Sequence, residues 1–562
     1  MNEVIIVKPE KCVGCTACIR ACPAPEANVT RKLSDGRFIT SVDPDRCIAC
    51  GECISACTHG ARDYIDDTED AMAAIARDEK PIIMVMPEIK AAYPTKWKGI
   101  LDWFRSKGCD IYDVSFGADI CTWAHLRAME SGQINHVITQ PCSAIVRYIE
   151  LYQPKLLTNL SPIHSPIACS VIYIKEYQRR DNPIAVLSAG VAKKNEFSET
   201  GLVDFSITFR KMMEYLDRSD IRIATNPVED YEYKFDDVQG SLGSIYSRPG
   251  GLKDNLLAHE PDLDVVSSEG VQKVYRELEM YAKLPEQKLP QVFDVMSCEF
   301  GCNIGPGSES DQTGFDVMNV MRAVEREASG RRKISNNVFR GSEDKLFRRF
   351  DEELRLSDFI RSYKPCKPSA MPADAQLDKV FESMGMQTDE QRCFDCNACG
   401  YRSCREMATA IFRGLNTPEN CIFHTKKALA NGGAGGEGGS AKMAEFAGDC
   451  RGISEKMQNT VSAIAENIER ISNASGATGE RADMVNELLR NVVAFCNSNP
   501  VMDEGSVKQL VSILETTSDA LGALGENVAE TDQCSESISG SVEELKELLE
   551  SLNLSAEQLA AE

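Results

Sequence analysis

Apolar and polar positions follow two periods along the central part of the chain. "PIIMVM" at 81–86 is an unbroken apolar run of strand length, whereas "TKWKGILDWFRSKG" at 95–108 spaces its apolar residues along one face of a helix. "HVITQPCSAIVRYIELY" (136–152), "PIAVLSAGVAKKNE" (183–196) and "VFDVMSCEFGCNIGPG" (292–307) each begin as an apolar strand and pass into a loop. The first then turns helical after Cys142, the second enters a glycine-containing loop ending in two lysines, and the third reaches the pair Cys298 and Cys302. Strands alternating with helices from about residue 80 to 365 predict βαβ units and a parallel sheet. Loops at the carboxyl ends of such strands meet in one crevice, the usual ligand site of open α/β sheets.

The flanks read differently. Residues 1–65 are rich in cysteine and poor in helix signals, a second cysteine cluster occupies 393–421, and "REMATAIFRG" continues it as an amphipathic helix. "ANGGAGGEGGS" (430–440) has the composition of a flexible tether. Beyond it Met457, Val461, Ile464, Ile468 and Ile471 recur at alternating spacings of four and three, as do Val542, Leu545, Leu549 and Leu552, with "CNSNPVMDEG" (496–505) breaking the helix between them. The pattern predicts a helical coiled-coil hairpin over 441–562 that packs on itself or dimerises. The fold class expected is therefore multidomain α/β.

Composition narrows the chemistry. With 43% hydrophobic and 7% aromatic residues the chain suits a globular protein with a large core. A net charge of −24 disfavours nucleic acid or an anionic membrane as partner, because phosphates would be repelled. The N-terminus lacks a basic segment followed by an apolar run, and no stretch of 18 apolar residues is present, so a cytoplasmic location is expected. Cytoplasmic thiols are kept reduced, which makes the 23 cysteines metal ligands before disulfides. With six histidines and no Cys/His finger spacing, iron–sulfur chemistry is favoured over zinc.

The most specific signal is the double run Cys12-x2-Cys15-x2-Cys18-x3-Cys22-Pro23 and Cys47-x2-Cys50-x2-Cys53-x3-Cys57. In such two-cluster ferredoxin runs the fourth cysteine of each serves the other cluster. Cys12, Cys15, Cys18 and Cys57 are thus expected to hold one [4Fe–4S] cluster, and Cys22, Cys47, Cys50 and Cys53 the other.

The ferredoxin run followed by "TQPCSAIVRYIELYQPKLLTNLSPIHSPIACSVIYIKEY", "AKKNE" and "VMSCEFGCNIGPG" resembles the catalytic region of [FeFe]-hydrogenases over roughly residues 1–365. The resemblance implies a 1–65 ferredoxin domain and a 66–370 hydrogenase-type βα core with an H-cluster, a [4Fe–4S] cubane joined to a diiron unit carrying CO and cyanide. Carried over by position, Cys142 and Cys298 ligate the cubane, Cys302 bridges it to the diiron unit, Lys193 hydrogen-bonds a cyanide, and Glu196 closes that motif. The blander readings are a buried structural thiol pair for Cys298 and Cys302 and a solvated loop face for Lys193 and Lys194.

Three departures stand out. Pro141 occupies the position of a proton-relaying cysteine, and proline carries no proton. Cys169 in "SPIACSVIY" is similar to a cysteine that divergent, sensory branches of the family place near the diiron unit, making it a relay candidate. Cys121 and His125 stand where the ordinary enzymes have relay glutamates, with a satisfied core histidine as the plainer reading of His125. Gly190 falls where the family has a cubane ligand. That leaves three alternatives: three cysteines with an exchangeable fourth ligand, substitution by Cys121 or Cys169, or a site that no longer assembles the full cofactor.

Cys396-x2-Cys399-Gly400-x3-Cys404 with Cys421 resembles the small four-cysteine [4Fe–4S] domain of electron-transfer subunits and corrinoid-linked proteins, placed here at 375–429, with Cys393 a spare thiol. Four cysteines are also a structural zinc set. The whole order resembles the sensory [FeFe]-hydrogenases. It implies reaction with H2 and protons, electron exchange with a carrier such as ferredoxin, homodimerisation, and a downstream signalling partner on the coiled coil. The alternative is a redox-sensing regulator without the diiron site.

Overall fold

A computed structural model describes residues 3–225, 233–308, 312–336, 345–364, 366, 371–432 and scattered positions between 456 and 547. Contacts divide the chain into two units, 1–430 and 431–562. In the first, β1 (Ile5–Val7), β2 (Asn28–Lys32), β3 (Phe38–Val42) and β4 (Arg62–Tyr64) form two antiparallel pairs, β1 with β4 and β2 with β3. The two cysteine runs fill the connections between them. Strands this short make only a small core, and cluster ligation supplies cross-links where apolar area is scarce.

The expected parallel architecture follows. It is divided between two sheets rather than gathered in one. β5 (Ile82–Val85), β6 (Ile111–Asp113), β7 (Val137–Ile138), β8 (Ile184–Ser188), β9 (Phe205–Thr208), β10 (Val265–Glu269) and β11 (Val292–Met296) form a four-stranded sheet of order β6-β5-β8-β9 and a three-stranded sheet of order β10-β11-β7, both parallel. Every residue of β5, β8 and β11 is buried, as expected of strands covered on both faces. The helix Trp97–Ser106 covers the larger sheet through Trp97, Ile100, Leu101 and Phe104, all buried and spaced as its sequence predicts.

Strand order locates the crevice. From β5 the chain moves outward to β6, then returns to β8 on the other flank of β5 and continues to β9. The connections thus diverge between β5 and β8, and the carboxyl ends of those two strands flank the gap where open sheets bind ligands.

The four-cysteine region does not stand apart. The helices Asp374–Ser383 and Cys404–Phe412 bury Leu377, Phe381, Met407 and Ala408 in one core with Cys18 and Ile19 of the N-terminal domain. The helix Ile422–Gly432 runs three residues into the glycine tract expected to begin a tether at 430, and 433–440 lie outside the described residues.

Of the predicted seam, only Ile464 and Val542 are described; the other positions and the breaker at 496–505 lie outside the described residues. Thr460 donates to Glu544 at 3.4 Å and Asn467 to Ser537 at 3.1 Å, seven residues apart on each segment and in opposite directions. Among the described residues no helix is long and apolar enough to cross a membrane.

Candidate iron–sulfur sites

The two ferredoxin loops repeat a backbone conformation. Gly14 and Thr16 in the first run, and Ala49 and Gly51 at equivalent places in the second, all have positive φ, between 53° and 81°. Thr16 and Ala49 hold this sparsely populated conformation without the freedom of glycine, which marks loops over-determined by what they enclose. Cys18 lies beside Cys12 and Cys15; Cys22, Cys47, Cys50 and Cys53 lie among one another, and Cys18 is also a neighbour of Cys22 and Cys53. Burial pushes the Cys22 thiol up to about 12, helped by Cys47, so unliganded thiolates would be poorly tolerated and bound iron would reverse that. Donors already face the sulfurs: Ala49 N to Cys47 Sγ at 3.3 Å and Arg62 Nη2 to Cys18 Sγ at 3.1 Å. Arg62 is a buried cation among these thiols, and sequence reasoning missed it.

Cys396, Cys399, Cys404 and Cys421 line one hollow closed by Met384 and Met407. The Asp395 amide donates to Cys404 Sγ at 3.3 Å, and the Cys404 amide to Asp395 Oδ1 at 2.6 Å. Cys393 does not line the hollow and is exposed. Thr16 Oγ1 donates to Ala398 O at 3.0 Å, and Thr30 N to Leu415 O at 2.8 Å. A Cβ on Gly400 would come within 2.8 Å of Ile19 Cβ, so the module rests on the first ferredoxin loop with no room for a side chain. Tyr401 lies beside both Cys399 and Cys22, one thiol from each module.

The third set of cysteines is assembled from two strand ends. Cys142 precedes the helix Ser143–Tyr152 a few residues after β7, Cys298 follows β11, and Cys302 sits in the tight turn Gly301–Asn303. Electrostatic neighbours place them together: Cys298 and Cys142 act on Cys302, with Lys193 and Glu88. Burial pushes the Cys298 thiol up to about 12, and Cys142 adds to this.

Lys193, beyond β8, donates to Pro141 O at 2.7 Å and to Glu196 Oε2 at 3.0 Å. Ser143 donates to the same carboxylate at 2.6 Å, and Ser165 also donates to it. Burial alone would raise the Glu196 carboxyl, but Lys193, the two serines and Arg361 outweigh it and hold it at about 2. Lys193 and Lys194 are not a solvated loop face: both are buried, and Lys194 pairs with Asp67 at 2.6 Å.

Gly190 offers no ligand. The Cys169 thiol donates to Cys121, and the two sulfurs lie 3.3 and 3.4 Å from His164 O. Of the pair Cys121 is the more acidic. Burial resists its ionisation, but the bond from Cys169 and the nearby His125 ring outweigh it. His125 is fully buried with Nδ1 on Cys121 O and Nε2 on Ser161 Oγ, both at 2.8 Å. Both of its nitrogens are satisfied.

The ferredoxin domain abuts this crevice. A Cβ on Gly51 would lie 2.2 Å from Pro306 Cγ, and the Tyr275 hydroxyl, 2.9 Å from Ser297 Oγ, has Cys50, Cys142 and Cys298 among its electrostatic neighbours. Sequence reasoning missed Tyr275 and Glu88. Glu88 carried one signal, an acid directly after the apolar run and proline of "PIIMVMPE". Among the described residues no three His, Cys, Asp or Glu side chains converge closely enough for a single metal ion. A cubane, whose thiolates attach to separate irons, needs them farther apart.

Fold and thiol sets together define a mixed α/β protein with several iron–sulfur clusters. Residues 79–306 match the iron only hydrogenase large subunit, C-terminal domain; residues 11–61 match a 4Fe-4S dicluster domain and 394–423 a putative Fe-S cluster family. No curated protein matches the chain. Among solved structures it is similar to the [FeFe]-hydrogenase HydA(deltaEFG), with 14% identity and a TM-score of 0.39 over 53% of this chain and 98% of that one. It is likewise similar to variants of the [FeFe]-hydrogenase HydA1 from Chlamydomonas reinhardtii. One has 13% identity and a TM-score of 0.39 over 54% of this chain and all of that one. The chain is an iron–sulfur protein related to [FeFe]-hydrogenases, with [4Fe–4S] clusters in its dicluster domain and a further cluster at 394–423.

Proposed function

We propose that the chain is a cytoplasmic redox sensor built on a hydrogenase-type core, with its clusters wired in series and its helical C-terminal region as output. The observation that carries this is the tyrosine at each junction: Tyr401 has both Cys399 and Cys22 among its electrostatic neighbours, and Tyr275 has Cys50 as well as Cys142 and Cys298. Electrons from a carrier such as ferredoxin would pass among the core, the dicluster domain and the four-cysteine module. Cys421 leads directly into the helix Ile422–Gly432 and so to the C-terminal unit. There a homodimer would present its helices to a signalling partner; Val542, a seam position, is exposed and available.

The test is hydrogen exchange over 533–544 in the full chain, oxidised against dithionite-reduced. Protection should differ between the two states, and Cys399→Ala should abolish the difference. Equal protection in both states rejects the output.

A second reading, reaction with H2, is favoured by Cys302, Lys193 and Glu196 meeting in one crevice. If a diiron unit binds, Cys302 would bridge it and Lys193 would hold a cyanide, the unit itself supplying the redox chemistry. After loading with a synthetic diiron complex, CO and cyanide infrared bands with H2 oxidation would establish this reading. Their absence would leave the relay alone.

A further inference from the structure

One buried carboxylate in the crevice, that of Glu88, has an oxygen with no hydrogen-bond partner. Glu88 follows β5 by three residues and precedes the short helix Ile89–Ala92, yet its side chain makes no capping bond to that helix. It turns instead toward β8, where the Ala189 amide, next to Gly190, donates to the carboxylate. Met86 N to Leu187 O at 3.1 Å keeps the two strand ends side by side. Glu88 is 1% exposed, and its Oε2 meets no hydrogen-bond donor. Its helix packs on the turn that carries Cys302, and of the side chains acting on Cys302, Glu88 acts most strongly. Lys193, the cation that acts on Glu88, is already committed to Glu196 and Pro141 O.

A buried carboxylate beside thiolates is strongly disfavoured unless it takes up a proton or a cation binds it, and Glu88 leaves one oxygen open to such a cation. Iron accepts carboxylate oxygen as well as thiolate sulfur. We propose that Glu88 is the fourth ligand of a [4Fe–4S] cluster held by Cys142, Cys298 and Cys302, taking over from the neighbouring strand the position that Gly190 leaves open. This rests on the reading that those three cysteines hold a cubane.

Loss of a ligand exposes one iron to oxidation. One ferricyanide ion takes one electron from [4Fe–4S]2+, one Fe2+ departs, and [3Fe–4S]+ remains. The full chain, reconstituted with ferrous iron and sulfide without oxygen, is treated with stoichiometric ferricyanide and examined by electron paramagnetic resonance and iron analysis. Glu88→Gln and Glu88→Ala should each gain a [3Fe–4S] signal of up to one cluster per chain and release the matching iron, while Glu88→Cys should resist oxidation as the native chain does. The reduced dicluster signals, unchanged in all variants, report that the fold is intact.

Glu88→Gln holding its iron as firmly as the native chain would overturn the proposal, because Gln preserves a hydrogen-bonding role and not an anionic ligand. A native chain that yields the [3Fe–4S] signal as readily as Glu88→Ala would overturn it too. Native protein with no more iron than Cys298→Ala would overturn the cubane itself, and the ligand assignment with it.

Discussion

Replacing Lys193 by methionine should damage the crevice far more than its loss of one hydrogen bond implies. The Lys193–Glu196 pair is 3.0 Å apart, with side chains 7% and 4% exposed. At an effective dielectric constant of about 20 two unit charges at that distance attract by about 5.5 kcal/mol. Desolvation offsets part of this in the intact pair, but removing one partner leaves the other charge buried, typically at a cost of about 3–5 kcal/mol. Ser143 and Ser165 still donate to Glu196, which places the expectation at the lower end. Amide hydrogen exchange in the helix Lys193–Thr200 reads this locally, without assuming that a multidomain chain unfolds in one step. A loss of about 3 kcal/mol corresponds to a roughly hundredfold fall in protection. Glu196→Gln should lose a comparable amount, and the double variant should lose clearly less than the sum. The pH dependence has a fixed sign: the Glu196 carboxyl is held at about 2 against an ordinary 4.5, so its stabilisation is complete above 4.5 and disappears as pH falls toward 2. In Lys193→Met the carboxyl rises and that loss moves to higher pH. Additive losses in the two single variants would refute the pairing.

Three further outcomes follow from other parts of the structure. Cys396→Ala should remove one cluster's iron and sulfide while leaving the reduced dicluster spectrum in place, checked by iron analysis and electron paramagnetic resonance; loss of dicluster signals as well would show that the modules cannot be separated. Gly51→Ala puts a Cβ 2.2 Å from Pro306 at a φ of +81°, so it should destabilise by about 1–3 kcal/mol and slow electron passage from the dicluster domain to the core, measured by thermal unfolding and stopped-flow reduction. Burial raises the Asp294 carboxyl from 3.8 to about 6, against bonds from the Lys253 amide and Thr139. A raised carboxyl favours the folded chain below 3.8 and loses that advantage as pH rises through about 6. Asp294→Asn should flatten that stretch of the stability profile, read by denaturant unfolding.

What could be read in the sequence depended on how far each feature's partners lie along the chain. The ferredoxin and four-cysteine runs were legible because ligation by nearby thiolates imposes spacing on a short segment; the left-handed Thr16 and Ala49 were not, since neither residue type advertises that conformation. The apolar runs showed parallel strands, but not that they divide into two sheets, which only pairing of distant strands decides. Lys193 and Lys194 have the local look of a wet loop, and Lys194 is buried because Asp67, far back in the chain, supplies its counter-charge. Cys121 and Cys169 stand far apart in sequence, and only the packing of their two helices brings the thiols together. Glu88 is the sharpest instance. In a chain with 86 acidic residues an acid after an apolar run and a proline is a faint signal, and its meaning arises only because β5 lies against β8 and brings it next to Gly190. A ligand missing from one strand end need not be sought nearby in sequence. The side chain able to replace it stands on the adjacent strand, where a parallel sheet puts two carboxyl ends at the same level and lets either one reach the same iron.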